Sequence, residues 1–261
     1  MIVVFSDLDG TLLDHDSYSF EAAKPALALL KNRKIPLVLA SSKTEAEMRP
    51  IAEAMGLQGP MIVENGAGIA DTSVNTPSEQ GNHVHAALTK AVRQLPKHLQ
   101  GCFEGFSDWD LTRVVAETGL SAEAAARAKT RRFSEPGRFS GTEAQKAEFV
   151  RLLDASGFSA VQGGRFFTLM PKTSKAARMA EVAASLAASS GESVRTVALG
   201  DGMNDLDMLQ AADCGIIIAN PSHAPLPVTK RERDGFILRS TEIGPVGWNQ
   251  MIHSLVQAGD F

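Results

Sequence analysis

The chain has 261 residues, 44% of them hydrophobic, and a formal net charge of −4, so it can bury a full core as one large domain or two smaller ones. That balance gives no basic footprint for nucleic acid. No apolar run reaches the roughly 20 residues needed to span a bilayer, and the N-terminus enters a core strand without a basic leader, so a cytoplasmic protein with no membrane contact is expected.

The first predicted element is an apolar strand over 2–6, which delivers Asp7 and Asp9 to a turn at Gly10, followed by Thr11. Short apolar runs bounded by turn residues read as buried parallel strands, and ligands in open parallel sheets sit beyond the strands' carboxyl ends. Two carboxylates this close repel unless a cation neutralises them, which points to a hard, oxygen-liganded metal such as Mg2+; the blander reading is an Asp-Gly turn that ends a strand. A helix is predicted from about Ser19 to Arg33, then a strand over 35–40 that empties into Ser41, Ser42, Lys43 and Thr44. Hydroxyls, backbone N–H groups and an ammonium at the start of a helix can hold phosphoryl oxygens. Thr44 and Glu47 form a capping-box pattern, and Pro50 is expected to kink the helix they open. A strand over 60–63 follows, and Asn75 to Gly81 reads as a linker.

Residues 82–170 have a different pattern. Helices over 83–95, 109–118, 121–130 and 142–155 interleave with strands over 102–106, 131–135, 158–162 and 165–170, which suggests a small α+β insertion with an antiparallel sheet. Pro171 to Ser174 returns the chain to a helix over 174–188, a strand over 194–199, a helix over 203–211, a strand over 214–218 and a terminal helix. Val194 to Leu199 repeats the design of the first strand, running into Gly200, Asp201, Gly202, Asn204 and Asp205. Two strands that each end in carboxylates beside glycines are what one composite metal and phosphate site requires. Cys102 and Cys214 stand alone, and the six histidines share no ligand spacing, so neither a disulfide framework nor a zinc site is expected. Trp248 is expected to pack the terminal helix and Trp109 to sit in the core of the insertion.

Asp7-Leu8-Asp9-Gly10-Thr11, Ser41, Lys175 and Gly200-Asp201-Gly202-Met203-Asn204-Asp205 resemble, in order and spacing, the four motifs of the haloacid dehalogenase-like phosphotransferase superfamily. SSKT (41–44), ENGAGI (64–69), RRFSEP (131–136), GGRFF (163–167) and GPVGWN (244–249) are similar to the finer signature of mannosyl-3-phosphoglycerate phosphatases. The resemblance spans the chain almost end to end. It implies an α/β fold, a Rossmann-like parallel-sheet core over 1–80 and 171–261 carrying an inserted α+β cap over 81–170.

It also implies roles. Asp7 would be the nucleophile that forms an aspartyl-phosphate, and Asp9 the general acid and base. Mg2+ would be held by Asp7, Asp9 through its backbone carbonyl and Asp201, with Asp205 as a further ligand through water or as a support behind them, and Asp207 turned away on the helix. Ser41, Ser42, Gly10 and Asn204 would order the phosphate, and Lys175 would supply positive charge. A lysine in the first turn of a helix opposes the dipole and needs an anion, which favours Lys175 over Lys172. A phosphoglycerate ester carries a carboxylate as well as a phosphate and calls for cations arranged as forks. Lys43, Glu64, Asn65, Arg131, Gly163, Gly164 and Arg165 are the substrate-binding candidates, with Arg132 and Glu135 beside them. Where the family pattern reads Arg-Glu, this chain has Arg131-Arg132. The expected activity is removal of phosphate from a small phosphorylated sugar acid, mannosyl- or glucosyl-3-phosphoglycerate. The alternatives are a broad sugar-phosphate phosphatase and a phosphotransferase or mutase of the same superfamily; the oligomeric state is not legible.

Overall fold

The computed structural model describes residues 1–73, 79–163 and 165–259. In chain order its elements are β1 (Ile2–Ser6), α1 (Lys24–Asn32), β2 (Leu37–Leu39), α2 (Glu45–Ala54), β3 (Pro60–Val63), β4 (Gly68–Asp71), α3 (Glu79–Arg93), β5 (Phe103–Gly105), α4 (Leu111–Thr118), α5 (Ala122–Lys129) and β6 (Glu135–Phe139). They continue with α6 (Glu143–Ala155), β7 (Phe158–Gln162), β8 (Phe167–Pro171), α7 (Lys175–Ser190), β9 (Arg195–Gly200), α8 (Leu206–Ala211), β10 (Cys214–Ala219), α9 (Lys230–Arg233), β11 (Ile237–Ile243) and α10 (Gly244–Ala258).

The chain divides into two compact units. The first comprises Met1–Ser42, Ala52–Ser73 and Ser174–Phe261, the second Lys43–Ile51 and Val74–Thr173. Five strands of the first unit form a parallel sheet in the order β11-β10-β9-β1-β2. This is the doubly wound α/β core that the alternation of short apolar runs with helices predicts. Val3, Phe5, Val38, Ala198 and Ile217 from the strands pack with Met179, Val182 and Met208 from the helices in its core. The middle strands are buried on both faces, which is why they are continuous apolar runs.

The second unit carries an antiparallel sheet in the order β5-β6-β8-β7, the inserted α+β architecture. Phe103, Phe149, Phe167, Leu88 and Leu169 fill one core. Phe106, Trp109, Val114 and Ala125 fill a second, under α4 and α5. Asp110, Ser121 and Thr142 cap α4, α5 and α6 by accepting from backbone N–H groups, and Gln145 completes a capping box.

Several elements differ from expectation. The strand predicted over 131–135 lies at Glu135–Phe139 instead. Glu-Pro-Gly resembles a turn in sequence, but a Cβ at Gly137 would fall 2.2 Å from the Glu104 carbonyl oxygen, so the glycine marks a close approach of two strands. The predicted linker Asn75 to Gly81 falls partly on residues 74–78, outside the described residues, while Glu79–Gly81 already belong to α3. Pro50 lies at an exposed position of α2 without ending it. β4, which pairs antiparallel with β3, and β11 at the sheet edge are additional strands.

Candidate active site

The strand ends of the first unit bring together side chains that are far apart in sequence. Asp7 follows β1, Asp201 follows β9, Asp205 sits at the start of α8 and Lys175 opens α7; all four are buried. Lys175 Nζ donates to Asp7 Oδ1 at 2.7 Å and to Asp205 Oδ1 at 2.6 Å. The second oxygen of Asp205 accepts from the backbone N–H of Gly202 at 3.0 Å and of Asp201 at 3.2 Å. Asp201 accepts from Thr11 Oγ1 at 2.8 Å and Asn220 Nδ2 at 2.7 Å, and pairs with His223 Nε2 at 2.8 Å. Lys172, the rival cation, is exposed and pairs with Asp154 at 2.8 Å. Asp207 is exposed.

Three buried carboxylates face one ammonium. Burial, then the charge of Asp205, pushes the Asp7 carboxyl well above the usual carboxylate range, although Lys175 pulls the other way. Burial alone would lower the Lys175 ammonium, but the charges of Asp205 and Asp7 and their hydrogen bonds outweigh it and raise its pKa. Asp7, Asp201 and Asp205 each offer an oxygen within 4.8 Å of the others, and at full ionisation the four groups sum to two negative charges. A compact all-oxygen donor set with that excess fits a hard divalent cation. His223 also feels opposing effects: burial lowers it, while the hydrogen bond to Asp201 prevails and raises it.

Glycines set the close approaches. Gly10 has φ +76, and a Cβ there would fall 2.3 Å from Asn220 Nδ2 and 2.9 Å from Asp201 Oδ2. Its N–H donates to the Leu13 carbonyl at 3.0 Å, which closes the turn after Asp9. Glu64, Asn65 and Gly66 take φ values of 52, 63 and 85 in succession. A Cβ at Gly66 would lie 2.3 Å from the Ser174 carbonyl carbon and the Lys175 nitrogen, so this turn abuts the start of α7. Asn65 Oδ1 accepts from Asn204 Nδ2 at 3.3 Å, and Asn204 also reaches Asp205 Oδ1 at 3.4 Å. The ENGAGI turn therefore sits against both Lys175 and Asn204.

The other expected site residues have definite places. Ser41 is buried beside this turn, its carbonyl accepting from Asn65 N–H at 2.8 Å, while Ser42 is exposed. Asp9 is partly buried and Glu64 fully so. Lys43, Arg131, Gly163 and Arg165 belong to the second unit, and Gly164 lies outside the described residues. Arg131 Nε donates to the Ala128 carbonyl at 3.1 Å, at the end of α5. Arg165 donates to the Thr118 carbonyl at 2.7 Å, at the end of α4. Arg132 is buried against Glu45 at 2.5 Å, and buried Glu135 accepts from Ser107 N–H and pairs with His85. Sequence reasoning did not find Asn220 and His223. Both lie past β10, where its register with β11 shifts between Ile217 and Ala219, and neither stands in a ligand-spaced motif.

A profile of haloacid dehalogenase-like hydrolases matches residues 4–108 and 140–230. The chain is 33% identical to a glucosyl-3-phosphoglycerate/mannosyl-3-phosphoglycerate phosphatase of Methanococcoides burtonii, covering 97% of both chains. It is 32% identical to a protein of the same description from Persephonella marina, covering 96% of both. In structure it superposes on a protein of Thermoplasma acidophilum with a TM-score of 0.66 at 15% identity, covering 98% of each chain.

Proposed function

The chain belongs to the haloacid dehalogenase-like hydrolases, and from that premise we propose that it is a Mg2+-dependent phosphomonoesterase acting through an aspartyl-phosphate, with a glycosyl-3-phosphoglycerate as preferred substrate. The observation that carries this reading is the buried meeting of Asp7, Asp201 and Asp205 with Lys175. The relatives' shared description supports the substrate class.

Asp7 attacks phosphorus in line. The ester P–O bond breaks, and Asp9 gives its proton to the departing glycerate oxygen. Asp9 then takes a proton from water, the water oxygen attacks phosphorus, and the bond to Asp7 breaks to release inorganic phosphate and the free carboxylate. Lys175 holds Asp7 in place and offsets charge on the equatorial oxygens, and Ser41 adds a neutral donor. Asn204 holds the loop that follows β9 against the Asn65 turn. Asp7, Asp201, Asp205 and the Asp9 carbonyl would hold Mg2+, which when bound neutralises the carboxylates and the phosphoryl charge. Residues 81–170, which fall within the second unit, act as the cap, and Lys43, Glu64, Asn65, Arg131, Gly163, Gly164 and Arg165 select the sugar-acid portion.

The test is steady-state phosphate release with Mg2+ on mannosyl- and glucosyl-3-phosphoglycerate, hexose 6-phosphates and para-nitrophenyl phosphate, for wild type and Asp7→Asn. A large advantage in kcat/KM for one glycosyl-phosphoglycerate, abolished by Asp7→Asn, is expected. Flat, weak rates across the panel would leave a broad sugar-phosphate phosphatase, and transfer to a sugar hydroxyl instead of water would make it a phosphotransferase. Appreciable turnover by Asp7→Asn would exclude the covalent route.

A further inference from the structure

Behind Asp7 lie two buried side chains with no part in the chemistry above. Trp248, fully buried in α10, donates its indole N–H to Ser6 Oγ at 3.0 Å. Ser6, also fully buried, donates its hydroxyl to the Asp7 carbonyl oxygen at 2.7 Å. The direction is fixed, because an indole nitrogen only donates and a carbonyl only accepts. From the other side, the Asp7 N–H donates to the Leu199 carbonyl at 2.9 Å. Both backbone groups of Asp7 are thus held, one by the neighbouring strand and one by this two-link chain.

The helix that brings Trp248 is itself fixed in place. A Cβ at Gly247 would fall 2.1 Å from the Glu242 carbonyl oxygen, so α10 meets the end of β11 with no room for a side chain there. Two residues along, Asn249 Oδ1 accepts from the Ala26 N–H of α1 at 2.9 Å. The run GPVGWN therefore reads as a seat that aims an indole N–H at the strand carrying Asp7. Packing alone would be served by any large apolar ring, whereas a buried N–H requires an acceptor, and Ser6 is the acceptor.

We propose that Ser6 and Trp248 are positioning residues for phosphoryl transfer: they hold the Asp7 peptide so that its carboxylate keeps an in-line approach to phosphorus, and so set kcat and not substrate affinity. This rests on Asp7 being the nucleophile. Small misplacements of a reacting group cost up to about a hundredfold in rate.

The experiment compares wild type, Ser6→Ala, Trp248→Phe, the double variant and Ser6→Thr in the full chain, at a temperature where circular dichroism shows each one folded. The readout is kcat and KM for para-nitrophenyl phosphate and the preferred phosphoglycerate ester. Ser6→Ala is expected to lower kcat about tenfold to a hundredfold for both substrates with KM within about twofold. Ser6→Thr, which keeps the hydroxyl, is expected to recover most of the loss. Because the two residues act through one link, the double variant is expected to lose little more than Ser6→Ala alone. Unchanged kcat in folded Ser6→Ala, a rise in KM at constant kcat, or fully additive losses would overturn the proposal. If the extra methyl of Ser6→Thr prevents folding, the Ser6→Ala/Trp248→Phe cycle decides alone. Absence of turnover in the wild type would instead sink the phosphatase reading, so the two failures are distinguishable.

Discussion

Replacing Lys175 by Met tests how the buried carboxylates are held. The Lys175 side chain is 1% exposed, and its ammonium makes charge-assisted hydrogen bonds of 2.7 Å and 2.6 Å to Asp7 and Asp205. Methionine keeps most of the side-chain volume, so the loss is chiefly electrostatic. Removing one partner of a buried ion pair costs about 3–5 kcal/mol, because the other charge is left uncompensated. The cluster's formal charge moves from −2 to −3, so Mg2+ should bind the variant more tightly, and each tenfold gain in affinity returns about 1.4 kcal/mol at saturating ion. The two tryptophans make the assay selective, since Trp248 lies in the first unit and Trp109 in the second. In a Trp109→Phe background, denaturant unfolding followed by Trp248 fluorescence should show the full loss in EDTA and a smaller one in millimolar Mg2+. The kcat should fall by at least about a hundredfold, the scale of losing one preorganised charge-stabilising donor. Equal stability of variant and wild type in EDTA, or equal stabilisation of both by Mg2+, would refute the reasoning.

Gly66→Ala should lower both activity and the Trp248 unfolding midpoint, because the new Cβ would sit 2.3 Å from the Ser174–Lys175 backbone at a φ of +85; unaltered thermal melting and kcat would show that α7 can give way. Arg165→Ala should raise KM for the phosphoglycerate ester and hardly change it for para-nitrophenyl phosphate. If both substrates respond alike while the melting temperature falls, the bond to the Thr118 carbonyl is the residue's whole role. Asp213 accepts from the Thr196 backbone N–H at 2.7 Å and its hydroxyl at 2.8 Å, and the backbone bond leads in lowering its pKa from 3.8. A depressed carboxyl stabilises the fold above its unfolded pKa and loses that contribution as pH falls through the folded value. Asp213→Asn should therefore flatten the stability profile below about pH 4, seen as a smaller drop in melting temperature on acidification.

The core was legible because its strands are short apolar runs that end in glycines, carboxylates and hydroxyls, a pattern set by burial on both faces and a ligand-facing end. Asp7, Asp201 and Lys175 could be placed from three strand-to-turn or turn-to-helix junctions that a parallel sheet must bring to one edge. β6 was misplaced because a Glu-Pro-Gly strand start is dictated by the Glu104 backbone opposite Gly137, which no local pattern reveals. β11 alternates poorly, since as an edge strand it leaves Leu238 and Ile243 exposed. Asn220 and His223 reach Asp201 across 19 and 22 residues through a register shift. Arg132 looked like a cation available to substrate, yet burial against Glu45 is a tertiary outcome invisible in a run of two arginines.

The three successive left-handed residues at Glu64, Asn65 and Gly66 bear on how this protein can be made hardier. Only the third is a glycine; a non-glycine residue held in that region carries on the order of 1–3 kcal/mol of strain. A search for thermostable variants would be drawn to Glu64 and Asn65, where glycine relieves the backbone. Those positions adjoin Lys175 and Asn204, so resilience gained there would come at the expense of turnover. Robustness is better sought at other left-handed residues remote from the strand ends, such as exposed Lys34 with φ 54, where the same substitution relaxes the chain and leaves the carboxylate cluster untouched.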